Sequence, residues 1–318
     1  MSPGRAMRPC RRSGRRWSAI SRISRKAVLP TPCERSSDMD RVSGASRLLS
    51  GCSLEEAAAG FTEGFAGYVV PVNVKPEALR LRIQREDIDL DASEVFFDGE
   101  KPAGILLVAR RGDISRISAL GVGPSIRGKG FGRQVMLETI EAARKRGERK
   151  LVLEVINSNE RAAALYRGLG FEVTRKLVGF GRSGKLAAQE AGRAAECGIE
   201  MAVDMLQRFA DANPTWQTDP RCFRKGAAPL KGFTFDGKAA ALLDDSGKDV
   251  RLYGLAVDPA YRRQGMGRTL ADGIAGLYPG RKLYIIENLP EGLFDRFMRR
   301  IGWRKSRMTQ SEMALSLV

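Results

Sequence analysis

The chain has 318 residues, with 54 lysines and arginines against 37 acidic residues and a formal net charge of +17. It contains no histidine, which excludes Ser-His-Asp and Cys-His catalysis and every His-containing metal site. Its five cysteines, Cys10, Cys33, Cys52, Cys197 and Cys222, form no C-x-x-C pair, so neither zinc nor a disulfide framework is indicated and a reduced, cytoplasmic setting is expected. The length suits two domains, each able to bury a core. No apolar run is long enough to cross a membrane, and no signal-peptide core is visible.

Residues 1–38 are a different material, with ten basic residues against Glu34 and Asp38, carrying +8 of the net charge. They read as a disordered basic leader or as sequence upstream of a true start at Met39. The acid-poor composition also mimics an organelle transit peptide, while Arg11-Arg12 and Arg15-Arg16 lack the apolar core of a twin-arginine export signal. Between Ser46 and Tyr68 the spacing predicts a helix, with Ser53-Leu-Glu-Glu56 as its capping box. Strands are expected over 94–98 and 103–110. The alternation of Ile117-Ser-Ala-Leu-Gly-Val122 gives a further strand, stopped by Pro124 and followed by a Gly-rich turn, a helix over 131–146 and a strand over 150–155. A polar, alanine-rich linker is expected to begin at Gly181-Arg-Ser-Gly184. Near Cys197 a helix carries Met201, Met205 and Leu206; the strand Leu252–Val257, a second Gly-rich turn and a helix follow. Strands near 303–308 and 312–318 close the chain. The first part shows no equally clear last strand, which leaves room for a borrowed one.

Two Gly-rich segments carry the argument. Gly123 to Lys129 spells G-x-x-x-x-G-K, but Gly130 stands where a nucleotide-triphosphate loop needs the hydroxyl that holds magnesium. The dinucleotide pattern G-x-G-x-x-G fails at Arg133. What repeats is different: Leu120, Val122, Pro124, Arg127, Gly130, Gly132 and Arg133 recur at constant offset as Leu255, Val257, Pro259, Arg262, Gly265, Gly267 and Arg268. Each copy places a strand, a proline stop and a Gly-rich turn before a helix, whose free N–H groups and positive dipole end suit a pyrophosphate.

L-x-V-x-P followed by R-x-x-G-x-G resembles the coenzyme A loop of the GCN5-related N-acetyltransferase (GNAT) family. So does Asn159-Glu-Arg-Ala-Ala-Ala-Leu-Tyr-Arg-Gly-Leu-Gly-Phe171, which reads N-x-x-A-x-x-L-Y-x-x-x-G-F. The resemblance covers most of residues 39–318 as two tandem units and implies an α/β fold with a mixed sheet in each. The expected domains are 39–183, catalytic, and 184–318, degenerate.

The resemblance implies acetyl-CoA as co-substrate, no metal, and transfer of an acetyl group to an amine of a small molecule or a protein N-terminus. A protonated amine must lose a proton before it attacks a thioester, and the departing thiolate needs one. Tyr166 matches the family tyrosine that acts as general acid, and Glu154 matches a general base. Coenzyme A binding falls to Leu120, Val122, Arg127, Gly128, Lys129, Gly130, Phe131, Gly132, Arg133 and Asn159. The early helical region overhangs the acceptor site in the family, so Phe65, Tyr68 and Val70-Pro-Val-Asn73 are candidates for shaping specificity.

An ungapped alignment of 149–171 with 281–303 puts Ile286 opposite Glu154, Glu291 opposite Asn159 and Met298 opposite Tyr166. Glu287 is one place away, which on a regular strand points it to the other face. Methionine cannot replace a phenol as proton donor. Catalysis is therefore expected in the first unit, with the second a packing partner, a wall of the cleft or a coenzyme site without turnover. The competing readings are a silent acyl-CoA sensor or scaffold and a basic ribosome- or RNA-associated protein. The basic residues after Met39 are dispersed without aromatic interleaving, so nucleic acid is not the expected partner. Oligomeric state is not legible.

Overall fold

A computed structural model describes residues 45–128, 130–183, 193–210, 214–224 and 229–318. The expectations for the leader 1–38, for Lys129 and for the linker 184–192 lie outside the described residues.

The first half opens with β1 (Ala45–Leu48), not anticipated from the sequence, and then α1 (Leu54–Gly64). The capping box forms as expected: Glu56 N–H donates to Ser53 Oγ at 3.1 Å and Ser53 N–H to Glu56 Oε2 at 2.8 Å, a device worth about 1 kcal/mol. Next comes α2 (Pro76–Glu86), which sequence reading passed over because only Leu79 on it is buried. Its signals were a proline in the first turn with Glu77 beside it and Arg85 in the last turn. β2 (Glu94–Asp98), β3 (Lys101–Arg111), β4 (Ile114–Val122), α3 (Phe131–Lys145), β5 (Lys150–Ile156), α4 (Glu160–Arg167) and β6 (Glu172–Arg182) complete this half. Gly181 and Arg182 thus end a strand, where a linker had been expected, because Gly181 pairs with both Arg304 and Tyr284.

The second half repeats the pattern with β7 (Ala195–Cys197), α5 (Ile199–Phe209), α6 (Arg221–Arg224), β8 (Leu230–Phe235), β9 (Ala239–Asp244), β10 (Val250–Val257), α7 (Met266–Leu277), β11 (Leu283–Pro290), α8 (Asp295–Arg300) and β12 (Arg304–Ser316). The two strands expected at the C-terminus are one, with its register broken between Lys305 and Thr309. Helix α7, with Gly273 and Gly276 inside it, is shorter than α3, 12 residues against 15.

The twelve strands of the described residues form one mixed sheet in the order β1-β2-β3-β4-β5-β12-β6-β11-β10-β9-β8-β7. The two halves exchange their last strands. β12 lies between β5 and β6, pairing antiparallel with β5 from Gln310↔Ile156 to Ser316↔Lys150. Strand β6 in turn pairs with β11. Side chains follow the exchange. Met313 of β12 is fully buried in the first half's core beside Leu151, Leu153 and Phe171, whereas Val178 and Phe180 of β6 are buried in the second half's core beside Leu283 and Ile285. The borrowed strand left open by the sequence is β12.

Layers cover both faces. In the first half α3 and α4 cover one face, with Phe131, Val135, Met136 and Ile140 packed on Leu151, Leu153 and Val155; α1 and α2 cover the other, with Ala57, Phe61 and Leu79 on Ile105 and Leu107. Close approach of α1 to β4 needs a glycine. A Cβ on Gly121 would sit 2.7 Å from the Phe65 ring and 3.0 Å from the Gly64 carbonyl carbon. Across the junction α2 meets α6, and Trp216 of the second half donates its indole N–H to the Glu86 carbonyl at 2.8 Å. Arg111 stacks on the Trp216 ring at 4.1 Å and donates to Asp219 and to Cys222 Sγ.

Because each core contains a strand of the other half, thermal unfolding is expected to be a single calorimetric transition. Met313→Ala should lower the unfolding free energy by about 2–4 kcal/mol for the whole described chain. Two resolved transitions, only one of them moved by Met313→Ala, would show that the halves melt independently.

Candidate active site

Strands β4 and β5 run parallel and pair only from Ile114↔Lys150 to Ile117↔Leu153. Beyond that point they diverge, each kept by its outer neighbour: β4 stays with β3 as far as Gly104↔Val122, and β5 stays with β12 as far as Gln310↔Ile156. Past that point the facing edges of β4 and β5 no longer pair with each other, which forms a slot between the two strands. At its mouth the Gly-rich turn leads into α3. Gly130 is the residue before the helix and takes φ 79°, in the left-handed region, with open space around its Cβ position. The turn stands at the N-terminus of α3, at the positive end of its dipole, which suits an anionic group.

Each expected residue has a definite place. Leu120 and Val122 lie on β4, half-buried against the core under α3. Phe131 begins α3 and sets its ring edge-on to Phe96 at 5.1 Å, so its contribution is to seat the helix. Gly132 is in the first turn of α3, and Arg133 beside it is exposed. Gly128 also has positive φ, 100°, with free space about it. Arg127 donates from Nε to the Val122 carbonyl at 2.9 Å and from Nη2 to the Ala66 carbonyl at 3.1 Å, tying the turn to the end of α1. Arg262 makes the same two bonds in the second half, to Val257 and Phe209. Asn159 caps α4 by accepting from the Ala162 N–H at 3.2 Å, so it acts on the slot through the helix it starts.

Tyr166, on α4, is 8% exposed and packs with Leu153, Val155, Phe131 and Phe171. Burial, with Tyr68 nearby adding to it, pushes its phenol up to about 12, so the group stays protonated through the neutral range. Glu154 points from β5 to the opposite face. There Arg116 of β4, itself 2% exposed, holds it at two points, with Nε to Oε2 at 2.8 Å and Nη2 to Oε2 at 2.7 Å. Arg116 also pairs with Glu86 of α2 at 2.7 Å, and Glu86 accepts further bonds from Ser118 and an ion pair from Arg82. Beside Glu154, in register across β5 and β12, lies Glu312, clamped by Arg175 at 2.8 Å. Arg116 and Glu312 were not legible as site residues. The first is a lone arginine in an apolar strand, and the second enters only through the exchanged strand.

In the second half the ungapped alignment holds. Met298 occupies the Tyr166 position on α8 and Trp303 the Phe171 position, with the Trp303 N–H on the Met298 carbonyl as the Phe171 N–H is on the Tyr166 carbonyl. One expectation is corrected. Glu287 lies in a register break between Ile285 and Leu289, so strand parity does not set its direction. Its carboxylate sits over Gly179, on the face opposite the buried Val178 and Phe180, and accepts from Ser306 Oγ at 2.6 Å. Here β10 and β11 pair only at Val250↔Leu283 and Arg251↔Tyr284, and a cavity of about 880 Å³ opens beyond them. Among the described residues, no group of three or more Cys, Asp or Glu side chains could hold a metal ion.

A mixed sheet with a splayed parallel pair, a Gly-rich turn at a helix N-terminus and a buried tyrosine on the next helix defines the acyl-CoA transferase fold of GNAT type. Residues 63–171 match the model of the acetyltransferase (GNAT) family. The whole chain superposes on a GCN5-related N-acetyltransferase from Sphaerobacter thermophilus with TM-score 0.64 and 13% identity, over 88% of this chain and 97% of that one. It superposes on a tandem GNAT protein from the clavulanic acid biosynthesis pathway with TM-score 0.63 and 13% identity, over 87% and 98%. In sequence it is 34% identical over 99 residues to a mycothiol acetyltransferase of Thermomonospora curvata, a match spanning 27% of this chain and 32% of that protein. The match to the GNAT family model thus falls within the first half, and the overall fold is that of tandem GNAT proteins.

The buried ion network sets an acid limit on stability. Burial opposes ionisation of Glu86, but Arg82 and Arg116, with the Ser118 bond, outweigh it and bring its carboxyl to about 2, below the ordinary 4.5. A lowered folded-state value stabilises the fold above pH 4.5 and is lost as pH falls toward 2. Glu86→Gln should therefore cost on the order of 3 kcal/mol near neutrality, and the gap from the wild type should close across that acid window in denaturant titrations. A gap independent of pH would rule out the ionised form as the source.

Proposed function

We propose that the chain is an acetyl-CoA-dependent N-acetyltransferase whose working site is the slot of the first half, with a small-molecule or peptide amine as acceptor. The observation that carries this reading is Tyr166: a phenol kept protonated by burial, beside the end of β5 where the strands part, with no hydrogen-bond partner for its hydroxyl among the described residues. The turn suits the co-substrate, since the space around Gly128 and Gly130 is open and α3 starts there with the positive end of its dipole. Acetyl-CoA, when bound, supplies the activated acetyl group. Gly128, Gly130, Gly132 and Arg133 would hold its phosphates, and the diverging edges of β4 and β5 its extended arm.

The chain's own groups then divide the proton work. Tyr166 is the acid that protonates the leaving sulfur. Glu154 lies across the sheet on the acceptor side and accepts the proton from the amine. Arg116 occupies the carboxylate at two points, so the transfer runs through a water molecule, and Arg116 fixes where that water stands. Tyr68 and the exposed Val69-Val70 segment lie at the end of α1 and form the lip over this side. The relative named a mycothiol acetyltransferase makes small-molecule amines the first acceptors to screen.

The test is release of coenzyme A thiol from acetyl-CoA with a panel of small amines and N-terminal peptides. Tyr166→Phe should lower kcat by about 100-fold, and Glu154→Gln by at least tenfold. In calorimetry one tight acetyl-CoA site per chain should vanish in Gly130→Glu. Turnover undiminished in both Tyr166→Phe and Glu154→Gln would defeat the assignment of roles, and a tight site surviving Gly130→Glu would place the co-substrate elsewhere.

A further inference from the structure

Arg251 is the second-half copy of Arg116. The offset that relates the two Gly-rich turns carries one onto the other, and the strand register repeats with it. Arg116 pairs with Val152 across β4 and β5, and Arg251 pairs with Tyr284 across β10 and β11. The surroundings of the two guanidinium groups differ. Arg116 has Glu154 on its Nε edge at 2.8 Å and Glu86 at Nη1, 2.7 Å away. In the second half Ile286 stands in the place of Glu154. Among the described residues the Arg251 guanidinium makes no hydrogen bond and no ion pair, and its Nε is shut off from water without an acceptor.

The neighbouring carboxylates are engaged elsewhere. Asp244, opposite Arg251 on β9, accepts from the N–H and the hydroxyl of Ser246 at 2.9 and 2.7 Å. Asp249 accepts from the Lys282 N–H at 3.4 Å. What holds Arg251 is aromatic. Its guanidinium lies over the Tyr253 ring, 4.4 Å from the centroid, and that ring meets Phe223 of α6 at 5.1 Å. From the first half, Arg85 at the end of α2 comes to 5.9 Å from the same ring. Tyr284, in register with Arg251, shares its face of the sheet. Burial pushes the Tyr284 phenol up, although the Arg251 charge pulls it the other way, so it keeps its proton near neutrality. Arg251, Tyr253, Tyr284 and Arg85 are all half-buried, within reach of a solute.

A guanidinium fixed by a ring presents a planar fork that matches a carboxylate, and a buried donor left unmade is costly. We propose that Arg251, with Tyr253 and Tyr284, forms a binding site for a small aryl carboxylate. The carboxylate does for Arg251 what Glu86 and Glu154 do for Arg116, and the aryl ring packs beside the two tyrosines. The site lies where β10 and β11 still pair, short of the point where they part, and neither Arg251 nor Tyr284 lines the cavity beyond. It is therefore separate from the Gly265 turn. Its place beside Arg85 puts it at the junction of the two halves.

The experiment is calorimetric titration of the full chain with benzoate, benzamide and phenyl phosphate, repeated with coenzyme A at saturation. Benzoate should bind at one site per chain, benzamide at least tenfold more weakly, and coenzyme A should change the benzoate affinity less than twofold. Arg251→Gln should weaken benzoate at least tenfold. Should that variant fail to fold, Ile286→Glu decides the matter. It builds into the second half the carboxylate that Arg116 finds in Glu154, so it should raise the melting temperature and abolish benzoate binding. No benzoate site, benzamide binding as tightly, competition by coenzyme A, or benzoate affinity unchanged in either variant would each overturn the proposal. Tighter binding of phenyl phosphate than of benzoate would overturn it too, by assigning the site to phosphorylated ligands. The readout is equilibrium binding, so absence of acetyl transfer by the first half neither supports nor weakens it.

Discussion

Strand β5 pairs with β4 only as far as Leu153, and from there its hydrogen bonds depend on the strand at its other edge. That strand is β12, brought from the far end of the chain. The slot exists because each of its two walls is held from outside: β4 by β3, with the end of α1 pressed on β4 itself at Gly121, and β5 by β12. Removing either outer neighbour would leave unpaired backbone groups at the edge of the slot and remove the reason for the strands to stay apart. The site geometry of the first half is therefore a property of the whole sheet.

A second constraint lies on the acceptor face, where Glu86, Arg116 and Glu154 form a buried chain of alternating charge, joined by Arg82 and flanked by Glu312 with Arg175. Such pairs add little net stability over apolar packing, but losing one member strands the others in a poor solvent. Their value here is positional. Arg116 can satisfy both carboxylates only when α2, β4 and β5 are in register, and Trp216 fastens the end of α2 to the second half by its bond to the Glu86 carbonyl. Placement of the carboxylate at the candidate site is thus linked to the packing of the other half.

The repeat of L-x-V-x-P and R-x-x-G-x-G made both turns, both following helices and the position of Tyr166 legible, because these depend on local backbone needs: a strand end, a left-handed residue at Gly130 or Gly265, a helix start. Ungapped alignment also placed Met298 and Trp303. What escaped were long-range facts. The partner of Glu154 is a strand neighbour at no fixed sequence distance, Glu312 is beside it only after the exchange, and the direction of Glu287 follows from a register break that strand alternation cannot foresee. The helix α2 was missed since its stability comes from ion pairs and a single buried leucine, with little apolar periodicity to announce it. The cavity of about 880 Å³ in the second half was invisible for a related reason: sequence patterns report residues that are present far better than space that is left.

The exchange of β6 and β12 also bears on how the protein is made. During synthesis β5 and β6 emerge well before their common neighbour, and β6 before either of the strands that flank it in the finished sheet. At roughly 5–20 residues per second, the nascent first half must carry open strand edges for on the order of ten seconds. It cannot close by itself, since the strand that closes it is made after every other strand of both halves. Such a chain is most exposed to edge-to-edge association while it is still being translated, and the pace at which the second half is made becomes part of its folding mechanism.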